Sequence, residues 1–319
     1  MNNDSLPNVL RVDTSVHSLD TPGIGGVWMR FWFRPTDSFP LSLVRIGTAI
    51  LGLFLLWSFV SELQLWFSSD GLLPPEEVIN WRSSFGFSLL DYITSTTSIY
   101  VFFFTLTVTF ILLMMGVFSS VMAITAAILW ASLLNRVPML AGPADDCLSV
   151  LLWCLAVGPS GDYLSVDRQI RTSRGDSSVE PSWRARCSLG LLQVHAGAIC
   201  LGAFLAQIKG DVWWNGTASW WLTAHEASQL NEVTYFLASS DFLTNVITHA
   251  ITAFELLFII GIWFSVTQTF VARLGLVAWP LIGLAAGEPY WGMAMLIFSL
   301  SMARTHRITF PKALSVLFH

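Results

Sequence analysis

The sequence predicts an all-α membrane protein whose helices cross the bilayer about eight times, with both termini on the cytoplasmic side. Hydrophobic residues make up 54% of the 319 residues and charged residues only 12%, whereas soluble domains carry about 25% charged residues. Mean hydropathy is +0.63, and the apolar residues form stretches long enough to cross about 30 Å of hydrocarbon. These observations exclude an ordinary soluble domain. The lack of a basic stripe argues against nucleic-acid binding.

The chain begins with a polar segment. Residues 1–25 show no apolar periodicity, which predicts a flexible tail. Gly26–Pro35 mixes Trp and Phe with two arginines, a pattern typical of a segment in the headgroup layer. We therefore expect a cytoplasmic tail with an interfacial segment (1–35), a transmembrane domain (36–304) and a cytoplasmic C-terminal tail (305–319).

Eight apolar stretches predict membrane-spanning helices. They are Leu41–Val60, Ser98–Phe118, Ser120–Leu134, Cys147–Leu164, Cys187–Ile208, Asn245–Ser265, Leu274–Ala286 and Pro289–Ala303. The third, seventh and eighth are short. Gly287 and Glu288 interrupt the last two, so these two could instead form one re-entrant hairpin.

The distribution of basic residues predicts the orientation. With the N-terminus inside, twelve basic residues fall on the cytoplasmic side, whereas only Arg82, Arg136 and Lys209 fall on the outer side. Because cytoplasmic loops are enriched in Lys and Arg, this bias favours cytoplasmic termini and an even number of crossings.

Glu255, near the middle of the sixth span, is the main candidate for a functional group at membrane depth, where ionisable residues are costly. Helical spacing places Thr248 and Thr252 on its face. Either the carboxyl group is a hydrogen-bonded structural group, or it is a functional carboxylate. Arg45, in the first span, could pair with such a carboxylate or extend to the cytoplasmic headgroups.

A second set of candidates lies in the fifth span and the loop after it. His195, Gly202 and Lys209 are seven residues apart in turn, so they share one helix face. Lys209 ends this span and is followed by a Trp-rich stretch that includes Trp213. It is either a lysine anchored at the membrane interface or an amine that the tryptophans desolvate, so that it acts as a base.

Charged residues also lie in the turn between the third and fourth spans, on the same outer side as Lys209. Arg136, Asp145 and Asp146 are either solvated loop charges or part of a site shared with Lys209. The four cysteines lack CxxC spacing and indicate neither a disulfide framework nor a zinc site, and no metal site is predicted.

Seven segments, taken in order, resemble a known family. They are WMRFWFRPTDSFPLSLVRIG, SSDGLLPPEE, FSLLDY, LLNRVPMLAGPADDCLSVLLWCLAVGPSGDYLSVDR, LLQVH, WWNGTASWW and AFELLF. Together they resemble the bacterial horizontally transferred transmembrane (HTTM) domain family, which is related to the membrane part of vitamin K-dependent gamma-carboxylase. The resemblance extends from about Trp28 to Arg304 and implies a location in the bacterial inner membrane.

The resemblance implies a chemistry at the outer face. In the carboxylase, an outer-side lysine held uncharged deprotonates reduced vitamin K, and oxygenation yields a strong base that removes a glutamate gamma-proton before carbon dioxide adds. A pocket that excludes water protects such a base. A reduced, vitamin K-like quinone is therefore the expected cofactor, and no metal is required.

Two positions depart from the family pattern. Gln207 occupies the position that matches the family's lysine, and Trp279 occupies the position of a family histidine. Lys209 lies two residues further, about 200° around the helix.

Two hypotheses follow. The first is an enzyme that acts on a quinone-like or lipid substrate at the outer face, with Lys209 and His195 as catalytic residues. Its substrate-binding residues are Gln207, Arg136, Asp146, Glu255 and Trp213, and an apolar cavity shared by Lys209, Asp146, Arg136 and Glu255 is expected. The second is a non-catalytic membrane protein that has lost the lysine and binds lipid, quinone or a protein partner.

Overall fold

The protein was studied as a computed structural model, which describes residues 23–68, 71–74, 77–78, 86–93, 95–175, 178–224 and 239–303. The predicted tail at 305–319 and residues 1–22 of the N-terminal tail lie outside these residues. The described helices are α1 (Ile24–Phe33), α2 (Phe39–Ser58), α3 (Leu63–Phe67), α4 (Thr96–Met115), α5 (Ser119–Arg136), α6 (Pro143–Val157), α7 (Val166–Ser173), α8 (Trp183–Ile208), α9 (Asp211–Trp214), α10 (Ala218–Ala224), α11 (Asp241–Gly261), α12 (Ser265–Ala285) and α13 (Pro289–Met302).

The helix ends follow local sequence signals. The side chains of Ser95 and Ser240 cap α4 and α11 by accepting hydrogen bonds from the backbone N–H groups of Ser98 and Leu243, as N-cap serines do. Gly116 ends α4 in the left-handed conformation, with φ 73°, which glycine adopts without steric cost.

The all-α membrane bundle predicted from the sequence is confirmed. Among the described residues, six helices are long and apolar enough to cross a membrane: α2 with its extension to Phe67, α4, α5, α8, α11 and α12. The prediction that the third and seventh spans are short is wrong, because α5 has 18 residues and α12 has 21. In both cases the helix continues through polar residues beyond the apolar stretch.

Two shorter helices lie inside the bundle. α6 has 15 residues and α13 has 14, which correspond to about 22 and 21 Å of helix. α13 packs against α2, α6, α8 and α12, and its residues Met295 and Phe298 are fully buried. Because other helices surround them, neither α6 nor α13 has to be as long as the hydrocarbon layer is thick.

The Trp-rich segments form short helices at the bundle surface. α1 packs on α8, where the Arg186 side chain donates a hydrogen bond to the Phe31 carbonyl. α10 folds over one half of α11, because the Ser219 hydroxyl donates to the Thr244 carbonyl at 2.8 Å. This contact places α10 against the first half of α11, before Glu255.

Candidate ligand-binding site between α8 and α11

One polar stripe of α8 faces α11. Gln193, Cys200 and Gln207 are seven residues apart in turn, so they lie on one face of the helix. The Gln193 amide donates to the Ile262 carbonyl at 2.9 Å, and the Cys200 thiol donates to the Glu255 carbonyl at 3.6 Å. Partner numbers fall along α11 as they rise along α8, so the two helices are antiparallel.

The third member of the stripe bonds to a side chain. Gln207 Nε2 donates to Glu255 Oε1 at 2.8 Å. Side chains on a helix lean towards its N-terminus, so in antiparallel helices Gln207 leans towards the level of Cys200 while Glu255 leans towards Thr248. The two side chains therefore meet although their helix positions are offset.

Glu255 lies deep in the bundle. Its side chain is 2% exposed, fourteen residues after Asp241 and six before Gly261, which correspond to about 21 and 9 Å of helix. A carboxyl group at this depth lacks water and must find its hydrogen-bond partners inside the protein or on a ligand.

Two buried polar atoms of this pair, and one on α12, have no hydrogen-bond partner among the described residues. They are Glu255 Oε2, Gln207 Oε1 and Trp279 Nε1, and all three atoms are buried. Trp279 is completely buried on α12 and packs against Phe254, the neighbour of Glu255, with ring centroids 4.9 Å apart. Since buried polar groups are nearly always satisfied, these atoms indicate a place where a bound molecule completes the hydrogen bonding.

The edge of this site is polar and partly open. Gln207 and Thr252 are half-buried, and Thr248, one turn away, accepts a 2.9 Å hydrogen bond from the backbone of Ser219 on α10. The site is therefore closed by α10 on one side and accessible beside α8. Ser219 was not singled out in the sequence, because nothing in its local pattern indicates that α10 folds back onto α11.

Lys209 does not join this cluster. It follows the last residue of α8, and its side chain is exposed. Its position two residues beyond Gln207 turns it about 200° away from the face that meets α11. The structure therefore does not place Lys209 in a cavity shared with Glu255, as the enzyme hypothesis expected.

His195 and Gly202 lie on the same face of α8 as Lys209, the face turned away from α11. The Nδ1 atom of His195, which is half-buried, is 2.8 Å from the Leu191 carbonyl of its own helix. A methyl group on Gly202 would meet no atom within 4 Å. The face of α8 that carries these residues is thus the open one, and His195 is about 18 Å along the helix from Gln207.

Arg136 has a structural role away from the Gln207–Glu255 pair. Its guanidinium is buried and donates to the carbonyl groups of Ser68 and Leu73 at 3.2 and 3.0 Å. It holds the segment after α3 against the end of α5. Asp146 is exposed and Trp213, on α9, is half-buried, and neither side chain hydrogen-bonds to Glu255, whose side-chain bond is to Gln207.

Arg45 takes neither of the two expected positions. It is 0% exposed, and it donates to the Ser119 hydroxyl at 3.3 Å and to the Leu164 carbonyl. Arg45 therefore links α2 to the start of α5 and to the segment between α6 and α7, at the end of the bundle opposite Gln207. Its guanidinium therefore neither pairs with Glu255 nor extends to the headgroups.

Comparisons of this chain with protein-family models, with curated proteins and with solved structures find no match. Among the described residues, no group of three His, Cys, Asp or Glu side chains could hold a metal ion. The chemistry of the site is therefore argued from its own residues.

Proposed function

We propose that this membrane protein binds a quinone-like or lipid-like molecule whose polar head reaches the Gln207–Glu255 pair, and that it does so without catalysis. The observation that carries the proposal is that each member of that pair keeps one buried oxygen atom without a partner among the described residues. Each such atom costs about 1–3 kcal/mol when it stays unsatisfied, so a ligand that bonds to them gains affinity.

The two atoms specify the chemistry of the head group. Gln207 Oε1 can only accept a hydrogen bond, and the free oxygen of Glu255 accepts when ionised and donates when protonated. A quinol hydroxyl supplies the donor that Gln207 Oε1 lacks, and a quinone or ester carbonyl can accept from a protonated Glu255. Aromatic and aliphatic walls such as Phe254 suit the apolar body.

The same residues favour binding over proton abstraction. Gln207, at the position that resembles the family's lysine, carries a neutral amide that cannot act as a base at neutral pH. Lys209 is exposed, so it lacks the desolvation by which a lysine becomes a base. The resemblance to the HTTM family adds support for a quinone and leads us to propose the inner membrane of a bacterium as the location.

A binding titration tests the proposal. Purified protein in detergent is titrated with a short-chain quinol, and binding is followed by calorimetry. Gln207→Leu and Glu255→Leu should each weaken binding about tenfold or more, because each removes a desolvated hydrogen bond worth roughly 1–3 kcal/mol. Asp146→Asn removes an exposed carboxylate and should leave the affinity unchanged. Equal affinity in all four proteins would contradict the proposal.

A second assay separates the binding protein from the enzyme. The protein is supplied with reduced quinone, oxygen, labelled bicarbonate and a glutamate-containing peptide. The proposal expects neither epoxide nor fixed label. Product that Lys209→Ala abolishes would establish the carboxylase-like hypothesis instead.

A further inference from the structure

A cavity of about 540 Å³ lies at the end of the bundle opposite Gln207. It is formed by the turn between α4 and α5, by the segment that follows α6, and by α7. The distribution of basic residues predicts that this end is cytoplasmic. It is independent of the Gln207–Glu255 pair, since α8 runs from this end of the bundle to the other.

Two arginines and two aspartates line the cavity, and one of the arginines is left without an acidic partner. Arg171 forms an ion pair with Asp162, with Arg171 Nη2 3.1 Å from Asp162 Oδ1. Asp167 interacts electrostatically with Arg45, which is buried behind the cavity wall. Arg174 makes no side-chain hydrogen bond or ion pair with the rest of the described chain. Arg174 is therefore the cation of this lining that a ligand can neutralise.

Part of the cavity lining is apolar and exposed. Phe118, Val121 and Ile170 line it, and their exposed fractions are 68%, 56% and 45%. Phe118 also has φ 46°, in the left-handed region, which is uncommon for a bulky residue. The backbone therefore holds a large aromatic side chain outwards, at the level where the bundle ends.

We propose that this cavity binds one anionic phospholipid. The phosphate lies beside Arg171 and Arg174, and the acyl chains run along Phe118, Val121 and Ile170. A phosphodiester of charge −1 supplies the counter-ion that Arg174 lacks, whereas a choline headgroup would bring a further cation next to Arg174. The continuous apolar wall favours a lipid over a soluble phosphate, which has no use for it.

Native mass spectrometry of the full-length protein tests this proposal. The detergent-solubilised protein is titrated with phosphatidylglycerol and, separately, with phosphatidylcholine that has the same acyl chains. The wild type should bind one phosphatidylglycerol in preference to phosphatidylcholine. Arg174→Gln should weaken phosphatidylglycerol binding about fivefold, the effect of one arginine at an anionic headgroup.

Arg168→Gln is the matched control. Arg168 lies on the same helix and carries the same charge, but it does not line the cavity, so its removal should change the affinity less than twofold. Arg174 is exposed, and Arg168 is half-buried and donates to the Ser178 carbonyl at 3.4 Å; the melting temperature of each variant is measured to verify that it folds.

Three outcomes would overturn the proposal. The first is equal affinity of the wild type for the two lipids. The second is an equal effect of Arg174→Gln and Arg168→Gln. The third is displacement of the bound lipid by millimolar glycerol phosphate or inorganic phosphate, which would identify a small-anion site rather than a lipid site.

Discussion

Gln207 donates a 2.8 Å hydrogen bond to Glu255 across two antiparallel helices, and each side chain keeps one oxygen atom without a partner. The bond forms because both side chains lean towards the N-terminus of their own helix and so approach each other. Burying this pair with only part of its hydrogen bonds made costs free energy in the protein without ligand. We therefore expect the stability of the protein to depend on both residues.

Gln207→Leu should lower the free energy of unfolding by about 1–3 kcal/mol, because it leaves both oxygens of Glu255 buried without a donor. The double variant Gln207→Leu, Glu255→Leu should recover part of this loss, since replacing both partners by apolar groups removes the stranded carboxyl. Thermal unfolding in detergent measures both effects. Lys209→Leu, at the exposed end of the same helix, serves as the control and should change the melting temperature little.

Gly116→Ala should destabilise the protein more than Gly175→Ala. Both glycines have positive φ, 73° and 90°, so each alanine carries a conformational cost of about 1 kcal/mol. A methyl group on Gly116 would also collide with the guanidinium of buried Arg45, whereas one on Gly175 meets no atom within 4 Å. We expect a further loss of roughly 2 kcal/mol for Gly116→Ala. Equal melting temperatures of the two variants would show that Arg45 does not occupy this position.

Arg136→Met should loosen the segment that follows α3. The substitution strands the carbonyl groups of Ser68 and Leu73 in a buried place, at a cost of about 2–4 kcal/mol. Arg136→Lys should restore only part of this, because the shorter lysine side chain does not bring its ammonium group to the position of Nη2, the atom that makes both bonds. Limited proteolysis with chymotrypsin measures the change as faster cleavage near Phe67. Cleavage at the wild-type rate in Arg136→Met would contradict this role.

Cysteine labelling checks the predicted orientation. Asp146 and Arg174 are both exposed and lie at opposite ends of the bundle. In intact cells, Asp146→Cys should react with a membrane-impermeant maleimide, whereas Arg174→Cys should react only after permeabilisation, because basic loops stay in the cytoplasm. Cys147, Cys154 and Cys200 are buried and Cys187 is half-buried, so both variants are made in a Cys187→Ser background. The reverse labelling pattern would show that the protein has the opposite orientation in the membrane.

Membrane helices could be predicted from the sequence because the bilayer imposes their length and composition. Twenty apolar residues suffice to span it whatever their partners, and α4, α8 and α11 begin and end within a few residues of the predicted stretches. Glu255 was predicted as a candidate for the same reason, since a carboxyl group in an apolar stretch is conspicuous in the sequence itself. The lengths of α5 and α12 were underestimated because their polar ends do not count towards an apolar stretch.

The inward face of α8 could be decided only by the tertiary structure. Two stripes with the same seven-residue spacing exist on this helix: His195, Gly202 and Lys209, and Gln193, Cys200 and Gln207. They are offset by two residues, about 200° around the helix, and periodicity alone favours neither. Packing against α11 turns the glutamine stripe inwards and leaves Lys209 exposed. The sequence by itself thus determined the membrane-spanning helices and the buried carboxyl group, whereas contacts between helices distant in the chain decided which side chains meet it.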